Sequence, residues 1–146
     1  MYKNILIFVL MLIASSLSIP AYSKWVSYEP NTVTLTETLQ QEMRTGEIGK
    51  ARFFMIEGSI VYITESSSAK SICQKYPDVT DSSPIEVEGI NIPATSFCSG
   101  NNIATYIEGE AGKWVMARLW KQNSVVIDGW EVSAEGFQNA VRSSVQ

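Results

Sequence analysis

Glycine falls within or at the end of almost every β-patterned stretch of this chain, at Gly58, Gly89 and Gly129. That punctuation confines it to short strands separated by tight turns or sharp kinks. Val33, Leu35 and Leu39 alternate with Thr34, Thr36 and Thr38, the period of a half-buried strand. Glu37 interrupts the apolar face, which marks a bulge, an edge or a strand end. Thr45-Gly46 and Gly49 turn the chain before Arg52 to Ile56, where Phe53, Phe54, Met55 and Ile56 read as a strand buried on both sides. Ile60 to Ile63 resumes the pattern beyond Gly58, as one kinked strand or as a hairpin. Ile85 to Glu88 and Thr105 to Glu108 read as short strands. Lys113 to Trp120 alternates most clearly, with Trp114, Met116 and Trp120 on one face and Val115, Ala117 and Leu119 on the other. Val125 to Ile127, Asp128-Gly129 and Trp130 to Val132 form a further strand kinked at glycine.

The polar stretches Glu65 to Ser71, Tyr76 to Pro84 and Pro93 to Asn102 read as loops. Ser133 is a candidate N-cap for a short terminal helix in which Phe137, Ala140 and Val141 recur at helical spacing. The expected fold is mainly β: a small OB-like five-stranded barrel with a short C-terminal helix and one disulfide. A β-sandwich is the alternative.

Lys3, the apolar run from Ile5 to Leu17 and the small residues at Ala21 and Ser23 are the three regions of a cleavable export signal. The expected domains are therefore a signal peptide over residues 1–23 and a single domain over 24–146. The apolar run is too short to span a bilayer, and no later segment is longer, so no membrane anchor is expected. The protein is then periplasmic or secreted. Removing the leader takes one lysine and leaves ten basic against fifteen acidic residues, a net charge of about −5. Such a surface does not suit nucleic acid, which requires clustered Lys and Arg; the densest group here is Lys113, Arg118 and Lys121. Cys73 and Cys98 are the only cysteines, and in an exported chain they read as one disulfide.

The chain has no histidine, which removes the commonest general base and the base of most nucleophilic triads. Nucleotide-binding and nucleophile-elbow glycine motifs are absent as well. Glu86 with Glu88, and Glu108 with Glu110, are carboxylate pairs, but alternating charges along a strand ordinarily mark its solvated face. Asp78, Asp81, Ser82 and Ser83 lack the spacing of a calcium loop and are explained by turn formation. No catalytic residue, metal site or cofactor is expected. Four tryptophans exceed what so small a core requires, and an exposed aromatic stacks on sugars or anchors a partner. Trp114 and Trp120 are the candidate ligand-binding pair.

Tyr28-Glu29-Pro30-x-x-Val33-Thr34-Leu35-Thr36-x-Thr38-Leu39, with Gly112-Lys113-Trp114-Val115 late in the chain, resembles a family of small exported bacterial proteins classed only as a domain of unknown function. The family's Val-x-Leu-x-Gly-x-Leu strand carries glycine where this chain has Glu37. A Pro-Gly-rich loop and a histidine-rich turn of that family are also missing here. Separately, Thr45-Gly46-Glu47-Ile48 followed by Phe54-x-Ile56-Glu57-Gly58 resembles the receptor-binding B subunits of subtilase-type and typhoid-type AB5 toxins, which are OB-fold pentamers that bind sialylated glycans. That resemblance places Thr36 where the group has a serine contacting sialic acid, and Met55 where it has a disulfide cysteine. Both resemblances imply an OB-like barrel.

The leading expectation is an exported, non-enzymatic binding protein whose partner is a protein or glycan outside the cytoplasm. A glycan-binding toxin B subunit and a periplasmic inhibitor or immunity protein are the alternatives. Homo-oligomerisation belongs to the toxin reading.

Overall fold

The structure is a computed structural model and describes residues 23–146; the expected signal peptide lies outside the described residues apart from its last position. Twelve strands and three helices follow in the order β1 (Trp25–Glu29), β2 (Thr32–Leu35), β3 (Leu39–Glu42), β4 (Ile48–Ile56), β5 (Ser59–Glu65), α1 (Ser67–Lys75), β6 (Thr80–Asp81), β7 (Ile85–Val87), β8 (Ile90–Ile92), β9 (Thr95–Ser99), β10 (Asn102–Ile107), α2 (Gly109–Lys121), β11 (Ser124–Ile127), β12 (Trp130–Ser133) and α3 (Phe137–Ser144).

Three hairpins are closed by two-residue turns, Glu57-Gly58, Glu88-Gly89 and Asp128-Gly129, with positive φ at both positions of each. This is the mark of type I′ turns, whose twist matches that of the flanking strands. The glycines at 58 and 129 therefore reverse the chain rather than kink a continuous strand. Glu37 lies in a break between β2 and β3, the strand end that its position implied. The nine residues of β4 are long enough to pair with both along one edge, through Phe54–Ile56 to β2 and Ile48–Ala51 to β3.

The strands form an eight-stranded sheet, β1-β2-β4-β5-β10-β9-β6 with β3 beside β4, and a four-stranded sheet, β12-β11-β7-β8. The fold is thus mainly β with a C-terminal helix and one disulfide, but it is not the closed five-stranded barrel expected. Closure would require the strands at the two edges to pair, and here β1 and β6 are joined only through the strands between them. Along β4 burial alternates, with Ala51, Phe53 and Met55 facing inward, so the strand is buried on one side rather than two. One core joins Val33, Phe53, Tyr62 and Ile107 of the large sheet, Val87, Val125, Ile127 and Val132 of the small sheet, and Val115, Leu119 and Phe137 of the helices. Each fully buried large side chain there contributes about 1.5–3 kcal/mol.

Two segments take a different form from the one their patterns suggested. Lys113 to Trp120 is the body of helix α2, not a strand. Gly112, Val115 and Leu119 are its buried positions, a spacing of three and four that the same residues satisfy as well as they satisfy alternation. Trp114 and Trp120 therefore do not share a face. Ser66 to Ser71, read as loop, begins helix α1. The Ser66 side chain is its N-cap and accepts from Ala69 N–H at 3.0 Å, and the Glu47 carboxylate accepts from Ser68 N–H at 3.2 Å, so two orphan amides of the first turn are satisfied. Pro93 to Asn102 also holds strand β9. The terminal helix forms as expected, but its N-cap position is Gly136 and not Ser133; the Ser133 hydroxyl instead accepts from Glu135 N–H at 3.2 Å. Among the described residues no helix is long and apolar enough to cross a membrane.

Candidate functional site

Antiparallel register places side chains in rows across a sheet. One row on the inward face of the large sheet runs Phe53, Tyr62, Thr105, Ser96, Asp81 through β4, β5, β10, β9 and β6. Its first two members are core, with rings stacked at 5.0 Å. The row then turns polar, although Thr105 is only 4% exposed. The Thr105 and Ser96 hydroxyls satisfy each other at 2.8 Å. The next row toward the strand ends is Thr64, Ile103, Cys98, and Cys98 is bonded to Cys73 of α1 with Cα atoms 5.6 Å apart. The disulfide thus pins the helix against β9.

Between α1, the hydroxyl-bearing end of the large sheet and the β11–β12 turn lies a cleft of about 390 Å³. Thr105, Ser96 and the hydroxyl end of Tyr62 line its polar part, and Met43, Ile72, Val79, Phe97 and Ile85 line its apolar part. Three of those apolar side chains, Ile72, Val79 and Phe97, are at least 38% exposed at its mouth. A concave, mostly apolar site with a few convergent polar groups is the ordinary architecture of a small-molecule site.

Two carboxylates border the cleft. Tyr62 donates to Asp128 Oδ2 at 2.8 Å across 66 positions of sequence. Burial raises the Tyr62 phenol far above its ordinary value of 10, and the Asp128 charge acts in the same direction. Asp128 occupies an exposed turn, yet its carboxyl faces protein on the cleft side. Desolvation there is the larger effect and holds its pKa above the ordinary 3.8 against the lowering hydrogen bond from Tyr62. Asp81 forms a local turn instead: its Oδ1 accepts from Ser83 N–H at 2.8 Å and from the Ser83 hydroxyl at 2.6 Å. Those bonds lower its pKa. Among the described residues no group of three or more metal-ligating side chains is assembled.

No family model matches the chain, and no curated protein or solved structure matches it either.

The disulfide is formed between the two cysteines expected. Thr36, Trp114 and Trp120 do not line the cleft. Thr36 lies just past β2, where its hydroxyl accepts from Lys24 N–H at 3.1 Å and its own N–H donates to Lys24 O at 2.8 Å. Trp114 is half-buried on α2 under the Arg118 guanidinium, 4.7 Å from the ring centre. Trp120 packs toward α3 under Arg142 at 5.3 Å. Trp25 and Trp130 are core residues, 2% and 3% exposed. The carboxylate pairs do not converge: Glu88 Oε1 accepts from Val126 N–H at 3.1 Å, and Glu110 pairs with Lys113 at 2.8 Å.

Tyr62, Ser96, Thr105 and Asp128 were not singled out by the sequence. The only local signal was the alternation Tyr62-x-Thr64 and Ile103-x-Thr105, which places polar groups at inward-facing strand positions. Which strands stand side by side, and hence which hydroxyls meet, follows from the long-range register.

Proposed function

We propose that this is an exported binding protein and that the cleft above Thr105 and Ser96 is its ligand site. One observation carries the reading: a row of polar side chains on the inward face of a sheet, deeply buried at Tyr62 and Thr105, borders a mostly apolar cleft instead of being replaced by core. Those hydroxyls are held by one another and by Asp128, which fixes their orientation, and a few oriented polar groups facing an apolar cleft are what a ligand site offers. Export is supported by the disulfide, since such bonds persist in oxidising compartments, and removal of the leader is compatible with the packing of Trp25. Its indole N–H donates to Ser133 O at 2.7 Å and its backbone N–H to Glu135 O at 2.8 Å. Cleavage after Ser23 leaves those contacts in place.

The test uses an uncharged apolar probe, Nile red, titrated into the protein with fluorescence as the readout. Saturable binding in the wild type that is lost in Ser96→Phe, with the melting temperature of the variant unchanged within about 3 °C, supports the cleft as the site. Equal binding by wild type and variant refutes it. N-terminal sequencing of the exported protein should find Lys24 first; an intact leader on that protein would refute the cleavage. A pentamer in light scattering, with sialoglycan binding abolished by Thr36→Ala, would replace this reading with that of a toxin B subunit.

A further inference from the structure

The charge lining the cleft is of one sign. Asp81 and Asp128 are both among its lining residues, and among the described residues that line it none is Lys or Arg. The two ion pairs described elsewhere, Arg52 with Glu65 and Lys113 with Glu110, involve neither aspartate. Asp128 receives one neutral donor, the Tyr62 hydroxyl on Oδ2. Asp81 is held by Ser83 through Oδ1 alone. Each carboxylate therefore keeps an oxygen with no described donor. Apolar side chains stand at the mouth, and the hydroxyls of Ser96 and Thr105 supply further acceptor oxygens.

Resting on the cleft being a ligand site, we propose that its ligand is a small molecule with a primary ammonium head on an apolar body. An ammonium offers three donors and no acceptor, which complements a wall of carboxylate and hydroxyl oxygens. It also supplies the opposite charge that the site lacks, chiefly to Asp128, whose carboxyl faces protein on the cleft side, while Asp81 is exposed and contributes less. The cavity of about 390 Å³ is near the small end of ligand sites, which run from roughly 300 to 1,000 Å³. The apolar body is accordingly about the size of one or two aromatic rings.

Three probes share one body and differ only in the head: tryptamine, tryptophol and indole-3-propionate. They are titrated by calorimetry and by amide chemical shifts into the protein purified after expression of the full chain. Tryptamine should bind about tenfold tighter than tryptophol, a factor between those of exposed and buried charge pairs, and indole-3-propionate should bind most weakly. The preference for tryptamine should fall to within about twofold in Asp128→Asn. That variant preserves the fold, because asparagine is favoured at the positive φ of 50° held by this turn residue, and its side-chain oxygen still accepts from Tyr62. Asp81→Asn should narrow the preference by a smaller factor.

Equal binding of tryptamine and tryptophol by the wild type would overturn the ammonium head and leave the cleft as a binding site. Tighter tryptamine binding that survives both substitutions would place the cation elsewhere and overturn the assignment. If none of the three probes shifts an amide of the cleft and Nile red binding is indifferent to Ser96→Phe, both proposals fall.

Discussion

Glu57 should stabilise the protein when replaced by asparagine. It is the first residue of the β4–β5 turn at φ 49°, followed by Gly58 at φ 82°. An L-residue in this left-handed region crowds its Cβ against the following carbonyl at a cost of about 1–2 kcal/mol. Asparagine reduces that cost by bonding to local backbone. No described side chain pairs with the Glu57 carboxylate, so nothing offsets the gain, and Glu57→Asn should add about 0.7 kcal/mol. Glu88 provides the control. It occupies the same position of the β7–β8 turn at φ 51°, but its carboxylate accepts from Val126 N–H at 3.1 Å. Removing that exposed, charge-assisted bond costs about 1 kcal/mol, so Glu88→Asn should come out slightly destabilising. Urea unfolding followed by tryptophan fluorescence, with the slope unchanged between variants, measures both. The gap between the two variants is the worth of the Glu88 bond. A loss of stability in Glu57→Asn, or equal changes at the two sites, would refute the reasoning.

Reducing the Cys73–Cys98 bridge, or replacing both cysteines by serine, should destabilise the protein by roughly 3 kcal/mol, as expected for a closed loop of 25 residues; a thermal melt under reducing and oxidising conditions reads it. Gly112→Ala should destabilise although alanine is the better helix former by about 1 kcal/mol, because a Cβ there would stand 2.5 Å from the Ile107 carbonyl oxygen. Overpacking against backbone costs about 1–3 kcal/mol, and a rise in melting temperature would show that the first turn of α2 yields. Glu47, which accepts from the Ser68 hydroxyl and N–H and from the Thr45 hydroxyl, has its pKa lowered from 4.5, chiefly by the Ser68 hydroxyl. Its contribution is present above the unfolded value and lost as pH falls through the folded one. The melting-temperature gap between wild type and Glu47→Gln should therefore be open at pH 6 and narrow as the pH falls below the ordinary value of 4.5; a gap independent of pH would refute it.

The strands nearest their own partners were legible because hairpin formation is local. Phe53 to Ile63 carries two β-rich runs around a two-residue turn ending in glycine, whereas the same arrangement in Val125 to Val132 reads as one strand kinked at Gly129 and is a hairpin. The open choice in the first case, kink or hairpin, was decided by positive φ at both turn residues. Helix α2 was misread because its residues meet two periodicities at once: Trp114, Met116, Trp120 alternate with Val115, Ala117, Leu119, while Gly112, Val115 and Leu119 also fall at helical spacing. Helix α1 was hidden by its serines, which favour loops in isolation but here supply the N-cap and accept the support of Glu47 from another hairpin.

By itself the sequence determined a mainly β chain, the disulfide pair and the amphipathic terminal helix. Each depends on residue type and short spacing alone. Only the tertiary structure decided that the strands divide into sheets of eight and four, that Lys113 to Trp120 coils, and that Tyr62 meets Asp128 while Thr105 meets Ser96. Those outcomes depend on which distant segments bury one another's apolar faces, and that free energy belongs to the assembled core rather than to any one segment of it.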